Sequence, residues 1–142
     1  MNDIESRISS SFFAQGLMKT LGATLMSVSE GEVRISLPFS AALSQQQGFA
    51  HAGVITSIVD NACGYAALTK APEGHDVVTA EFKVNFLRPA IGTSFLAVGK
   101  VVNAGRLLTV CTGEVFAIGD AQSAPKLIAV MQATIATVSS KA

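Results

Sequence analysis

Residues 51–68 read HAGVITSIVDNACGYAAL. From Ala52 to Leu68 this stretch contains no proline, and glycine only at 53 and 64. It is too long for a buried strand, so the spacing predicts a helix. Thr56, Ser57, Asp60 and Asn61 fall at i, i+1, i+4 and i+5, which gathers them into one narrow polar stripe. The other faces carry Val54, Ile55, Ile58, Val59, Ala62 and Cys63, and a helix apolar around most of its circumference is a buried one. Asp60 is then the anomaly, because taking an ionised carboxylate out of water costs several kcal/mol. Either it lies on the wet side of a half-buried helix, or its carboxylate does chemistry. Ala71-Pro72-Glu73-Gly74 ends the segment.

Working outward, residues 3–21 mix charges with Ile8, Phe12, Phe13, Leu17, Met18 and Leu21. Asp3 is a candidate helix cap, and the 8, 12 spacing fits one amphipathic face. A helix to about residue 14, followed by a short helical turn, is expected. Residues 23–29 and 32–38 read as two strands joined at Glu30-Gly31. In the second, Val33, Ile35 and Leu37 alternate with Glu32, Arg34 and Ser36, the period of a half-buried strand. A loop with Gln45-Gln46-Gln47-Gly48 precedes the long helix. After it, residues 77–87, 94–103, 106–118 and 126–138 read as strands. In the first of these, Phe82, Val84 and Phe86 oppose Glu81, Lys83 and Asn85. Neighbouring strands with short links pair antiparallel. The predicted class is α+β: an antiparallel sheet of about six strands curled around one long helix. The 142 residues suit one domain over 1–142, with 1–21 as its amino-terminal helical segment.

Only 14% of the chain is charged, against about 25% in ordinary soluble domains. A surface so short of charge points to area hidden in an oligomer. Ten basic residues balance ten acidic ones, with no basic run or stripe, so nucleic acid is not an expected partner. Cys63 and Cys111 belong to no C-x-x-C pair and read as small core residues in a reducing compartment. Residues 1–15 lack a basic start followed by an apolar run, and no uninterrupted apolar stretch of about 18 residues occurs. A cytoplasmic protein with no membrane partner is expected.

Two segments resemble a known family. QQQGFAHAGVITSIVDNACG is similar to the helix motif of the PaaI-like, 4-hydroxybenzoyl-CoA thioesterase-like branch of the hotdog-fold acyl-CoA thioesterases. That motif is Asn or Gln, a short Gly-containing spacer, His-Gly-Gly, six residues, then Asp or Glu. FLRPAIGTSFLAVGKVVNAGRLLTVCTGEV resembles the family's strand pattern, and the likeness spans about residues 15–138. The resemblance implies hydrolysis of acyl-CoA thioesters with no metal or organic cofactor. It implies that Asp60 is the carboxylate acting as nucleophile or general base. It puts the Ala52 N–H on the thioester oxygen, Gln45 where an amide orients water, and Thr79 where a hydroxyl supports the water or carboxylate. His51 matches the family histidine. Gly53, Asn61, Arg88 and Arg106 are the candidate substrate contacts, the arginines for CoA phosphates. This chain departs from the pattern with Ala at 52, which preserves the N–H donor unless positive φ is required.

The residues alone add a constraint. Ala52 and Gly53 begin the helix, where N–H groups lack internal partners and carry partial positive charge. Asp60 lies eight residues on, about 12 Å along a helix rising about 1.5 Å per residue. One thioester carbon cannot reach both within a chain, so the two groups must come from different subunits. A homodimer, or a tetramer built from it, is expected. The acyl group is expected among apolar side chains such as Val54 and Phe82. Two alternatives stand beside hydrolysis: a hotdog hydratase or dehydratase, and a non-catalytic acyl-CoA binding or sensing protein.

Overall fold

The computed structural model describes residues 2–140; the expected domain limits at 1 and 142 lie outside the described residues. Helix α1 runs Asp3–Ala14 and α2 Gly16–Leu21. Asp3 is not the cap: Asn2 is, its side chain accepting from the Glu5 N–H at 2.7 Å. Asp3 instead sits in the first turn, where its charge complements the helix dipole. Ile8 and Phe12, one turn apart, bury the inner face of α1. Gln15 is extended and separates the two helices; Gly22, left-handed, ends the second.

Strands β1 (Thr24–Ser29) and β2 (Glu32–Pro38) form a hairpin turned at Gly31. A single 3₁₀ turn, Ala41–Leu43, leads to α3, Ala52–Leu68. Four strands follow: β3 His75–Phe86, β4 Ser94–Ala104, β5 Leu108–Ile118 and β6 Lys126–Ser139. All lie in one antiparallel sheet ordered β1-β2-β4-β5-β6-β3. The third strand begins two residues earlier than expected and the fifth two residues later. Ser139, one residue past the expected end of the last strand, pairs with His75. The consecutive strands β3 and β4 do not pair. β3 crosses to the far edge and bonds β6 instead.

The sheet wraps α3, which packs against β2, β3, β4, β5 and β6. This is the hotdog arrangement the resemblance implied. Ile55, Ile58, Val59 and Cys63 are fully buried against Ile35, Leu37, Phe95 and Val115. Each such aliphatic side chain contributes about 1.5–3 kcal/mol by leaving water. The helix lies so close because Gly99 and Gly113, opposite one another on β4 and β5, present no side chain beneath it. A Cβ at Gly99 would stand 2.4 Å from the Ala62 carbonyl, and one at Gly113 would stand 2.4 Å from Val59 Cγ2. The hydroxyls of Thr56 and Ser57 bond back to the Ala52 and Gly53 carbonyls, so the start of α3 tolerates them. Cys63 and Cys111 are both buried free thiols, as expected. Among the described residues no helix is long and apolar enough to cross a membrane.

Candidate active site

Two clefts flank α3, one at each half of the helix. The first, about 270 Å³, is lined by Asp60, Asn61, Gly64 and Tyr65 of α3, with Ser11 of α1 and Gln15, the residue that ends α1, facing them. Asp76, Val77 and Thr79 of β3 complete it. Asp60 is half-buried on the polar stripe, and Thr79 Oγ1 donates to its Oδ1 at 2.8 Å. Among the described residues Oδ2 has no hydrogen-bond partner. Burial pushes the Asp60 pKa up, and the Thr79 hydroxyl pulls it partly back. The result is a carboxylate that is oriented, open on one oxygen and more basic than an ordinary Asp.

The second cleft, about 310 Å³, lies at the start of α3. Gln45, His51 and Ala52 meet there, with Phe49, Ile55 and Phe86 as apolar walls and Arg88 at its margin. His51 caps the helix: its Nδ1 accepts from the Gly53 N–H at 2.8 Å. That bond leaves Nε2 as the ring's donor. It also explains the glycine, since a Cβ at 53 would press within 3.1 Å of the ring nitrogen. The Gly53 N–H is thereby spent. The Ala52 N–H has no acceptor among the described residues and stands exposed at the positive end of the helix. Among the described residues no non-glycine has positive φ, so alanine at 52 is unstrained where the family motif has glycine.

Gln45 alone of the three glutamines lines this cleft. Its Oε1 accepts from the backbone N–H groups of Gln47 and Phe49, and its Nε2 donates to Gln47 Oε1. One Nε2 hydrogen remains free. Arg88 donates to the Leu127 carbonyl at 3.1 Å. Arg106 sits at the exposed β4–β5 turn and lines neither cleft. Nor do Val54 and Phe82, the side chains expected around the acyl group.

Within one chain, then, Asp60, Thr79 and Asn61 come together in one place. Gln45, His51, Ala52 and Arg88 come together in another. Sequence reasoning missed the wall that α1 adds to the Asp60 cleft. Gln15 and Asn61 exchange two amide hydrogen bonds, 3.2 and 2.9 Å, and Gln15 Nε2 also donates to the Tyr65 hydroxyl. Ser11 Oγ lies 3.0 Å from that hydroxyl. Arg7 anchors α1 by donating to the carbonyls of Ala71, Pro72 and His75. The available signal was Tyr65, the single tyrosine, which extends the Asn61 stripe by one turn. Among the described residues no group of three or more His, Cys, Asp or Glu could hold a metal ion.

The chain matches the family model for the thioesterase superfamily over residues 47–124. It is 40% identical to a thioesterase family protein from Silicibacter pomeroyi, whose crystal structure superposes with a TM-score of 0.93 over 96% of this chain and 99% of that one. A thioesterase from Haemophilus influenzae (20% identity, TM-score 0.82, 98% and 92% covered) shares the fold. So does the E. coli PaaI protein from the phenylacetic acid degradation operon (20% identity, TM-score 0.83, 97% and 96% covered).

Proposed function

The chain belongs to the thioesterase superfamily, and from that premise we propose that it hydrolyses acyl-CoA thioesters in a centre shared by two copies of itself. The observation that carries this reading is the Asp60 carboxylate. It is desolvated, steadied by Thr79 and open on Oδ2, on a helix whose unspent Ala52 N–H lies about 12 Å away. The two groups occupy separate clefts of one chain, so a partner's helix start must bring its N–H to Asp60.

The sheet offers a surface for that pairing. β3 is an edge strand of twelve residues. Its Phe82 and Phe86 lie opposite buried Ala133 and Ala129, on the core side, yet remain 41% and 47% exposed. An apolar edge of this length is one that soluble proteins cover. A two-fold axis at β3 would bury both phenylalanines and align the two helices in opposite directions.

In the shared centre the thioester oxygen accepts from the Ala52 N–H of one subunit. The helix dipole stabilises the oxyanion as it forms. Asp60 of the other subunit attacks the carbonyl carbon, or removes a proton from a water that attacks, with Thr79 and Gln45 as polar supports. The C–S bond breaks and the thiolate takes up a proton; where Asp60 itself attacked, a water then cleaves the acyl–Asp60 anhydride and restores the carboxylate, and acid and CoA leave. The apolar second cleft suits the pantetheine arm, with the Arg88 guanidinium at its margin for phosphate. The site lies in one hotdog domain spanning the chain.

A thiol-release assay across aryl and aliphatic acyl-CoAs tests this. Asp60→Asn is expected to keep the fold and the dimer and to lose at least about 10²-fold in kcat. Near wild-type release of CoA by that variant refutes the assignment.

A further inference from the structure

The cleft beside Asp60 contains a glycine that the fold does not require. Gly64 lies one turn beyond Asp60 and lines the same space. Glycine within a helix is unfavourable relative to alanine. Apart from Gly16 at the start of α2, where a Cβ also meets nothing, most other glycines here have reasons. Gly22, Gly31, Gly48 and Gly74 adopt positive φ, and Gly99 and Gly113 admit the helix to the sheet. Gly64 has neither: its φ is not positive, and a Cβ built on it meets no atom within 4 Å. A side chain there would occupy only the cleft.

Beyond Gly64 the cleft is closed by hydrogen-bonding groups: the Tyr65 and Ser11 hydroxyls and the paired amides of Gln15 and Asn61. Asp76 adds a carboxylate to the lining. A long alkyl chain pressed into this space would strip water from those groups and return no hydrogen bond. A hydroxyl or an amide would replace the lost water. An anionic end would meet both Asp60 and Asp76.

We propose that the space running from Asp60 past Gly64 to the Tyr65–Gln15 wall is the subsite for the far end of the acyl group. Gly64 sets its depth, and it takes an uncharged acyl group ending in a hydrogen-bonding substituent. The inference rests on Asp60 being the carboxylate that acts on the thioester. The carbonyl is held at Asp60, so an acyl chain leaving it on the side away from the pantetheine arm enters this cleft. Gly64 and Gln15 are thus specificity-determining residues for hydrolysis.

The test compares three CoA thioesters of nearly equal size, 6-hydroxyhexanoyl, heptanoyl and adipoyl, together with acetyl-CoA. Thiol release is followed for the wild type, Gly64→Ala, Gly64→Leu and Gln15→Met. The wild type is expected to favour the hydroxyl-ended substrate over heptanoyl by about tenfold in kcat/KM, with adipoyl last. Gly64→Leu is expected to raise the acetyl-to-heptanoyl ratio by about tenfold. Gly64→Ala moves the ratio the same way by less, and guards against loss of fold in the leucine variant. Gln15→Met brings the hydroxyl preference down to near unity. A general weakening would lower all substrates together and leave these ratios unchanged. A wild type that turns over the series while every variant keeps its ratios overturns the subsite alone. A wild type inert toward every thioester overturns the proposed function with it.

Discussion

Under the proposed function, Asp60 ties stability to activity in one residue. Burial lifts its pKa more than the Thr79 hydroxyl lowers it, so the folded chain holds that proton more tightly than the unfolded chain does. Between the ordinary Asp value and the raised one, the folded state binds the extra proton. Stability from this group is therefore full in acid and is lost as pH rises through the folded value. Asp60→Asn removes the charge and keeps an oxygen for Thr79 to donate to. It should melt above the wild type at neutral pH, with the gain fading in acid below the ordinary Asp range, as calorimetry across pH would record. An asparagine variant that melts lower at neutral pH would contradict a carboxylate held against its own solvation. The position was legible because the helical period isolates one acid among apolar neighbours, and the 51–53 cap lies in the same local segment. Gln15, Ser11 and Tyr65 were not legible as its neighbours. Their meeting depends on how α1 docks, and Arg7 fixes that through carbonyls more than sixty residues away.

Among the elements, α3 and the alternating strands follow from periodicity, because each records which of its faces is dry. The strand order does not. β3 reads like any half-buried strand, and nothing within it says that it leaves β4 for β6. The seating of α3 was equally hidden, since it depends on two glycines distant from the helix in sequence but adjacent across β4 and β5. Of the two, Gly99 is the stricter. The obstacle to a Cβ there is the helix backbone, the carbonyl of Ala62 and the amide of Cys63, which cannot turn aside. At Gly113 the nearest atoms are the ends of the Val59 and Cys63 side chains. Gly99→Ala should therefore push α3 outward and cost about 1–3 kcal/mol, the range for overpacking a tight core. Gly113→Ala should cost less. Urea melts of the two variants give the comparison, and equal midpoints would show that backbone contact does not limit the approach of helix to sheet.

For the whole molecule, the separation of the two clefts gives the proposed dimer a chemical consequence beyond the covering of an apolar edge. If each centre takes its N–H from one chain and its carboxylate from the other, two inactive variants can repair one another. Ala52→Pro supplies the first. The first helical position tolerates proline, which deletes only the N–H. His51, at φ −63° and ψ 139°, already has the extended backbone that a residue before proline adopts. Asp60→Asn supplies the second. Each alone should lose at least about 10²-fold in kcat with the dimer intact. Unfolded together and refolded at equal concentrations, half the dimers are mixed, and each mixed dimer holds one complete centre and one doubly damaged one. The refolded mixture should recover about a quarter of wild-type activity. Recovery is impossible if both groups act within one chain, because every chain then carries a defect. A mixture as inactive as its parents, shown by mass spectrometry to contain mixed dimers, would rule out the shared centre and leave Asp60 to work without the opposite helix.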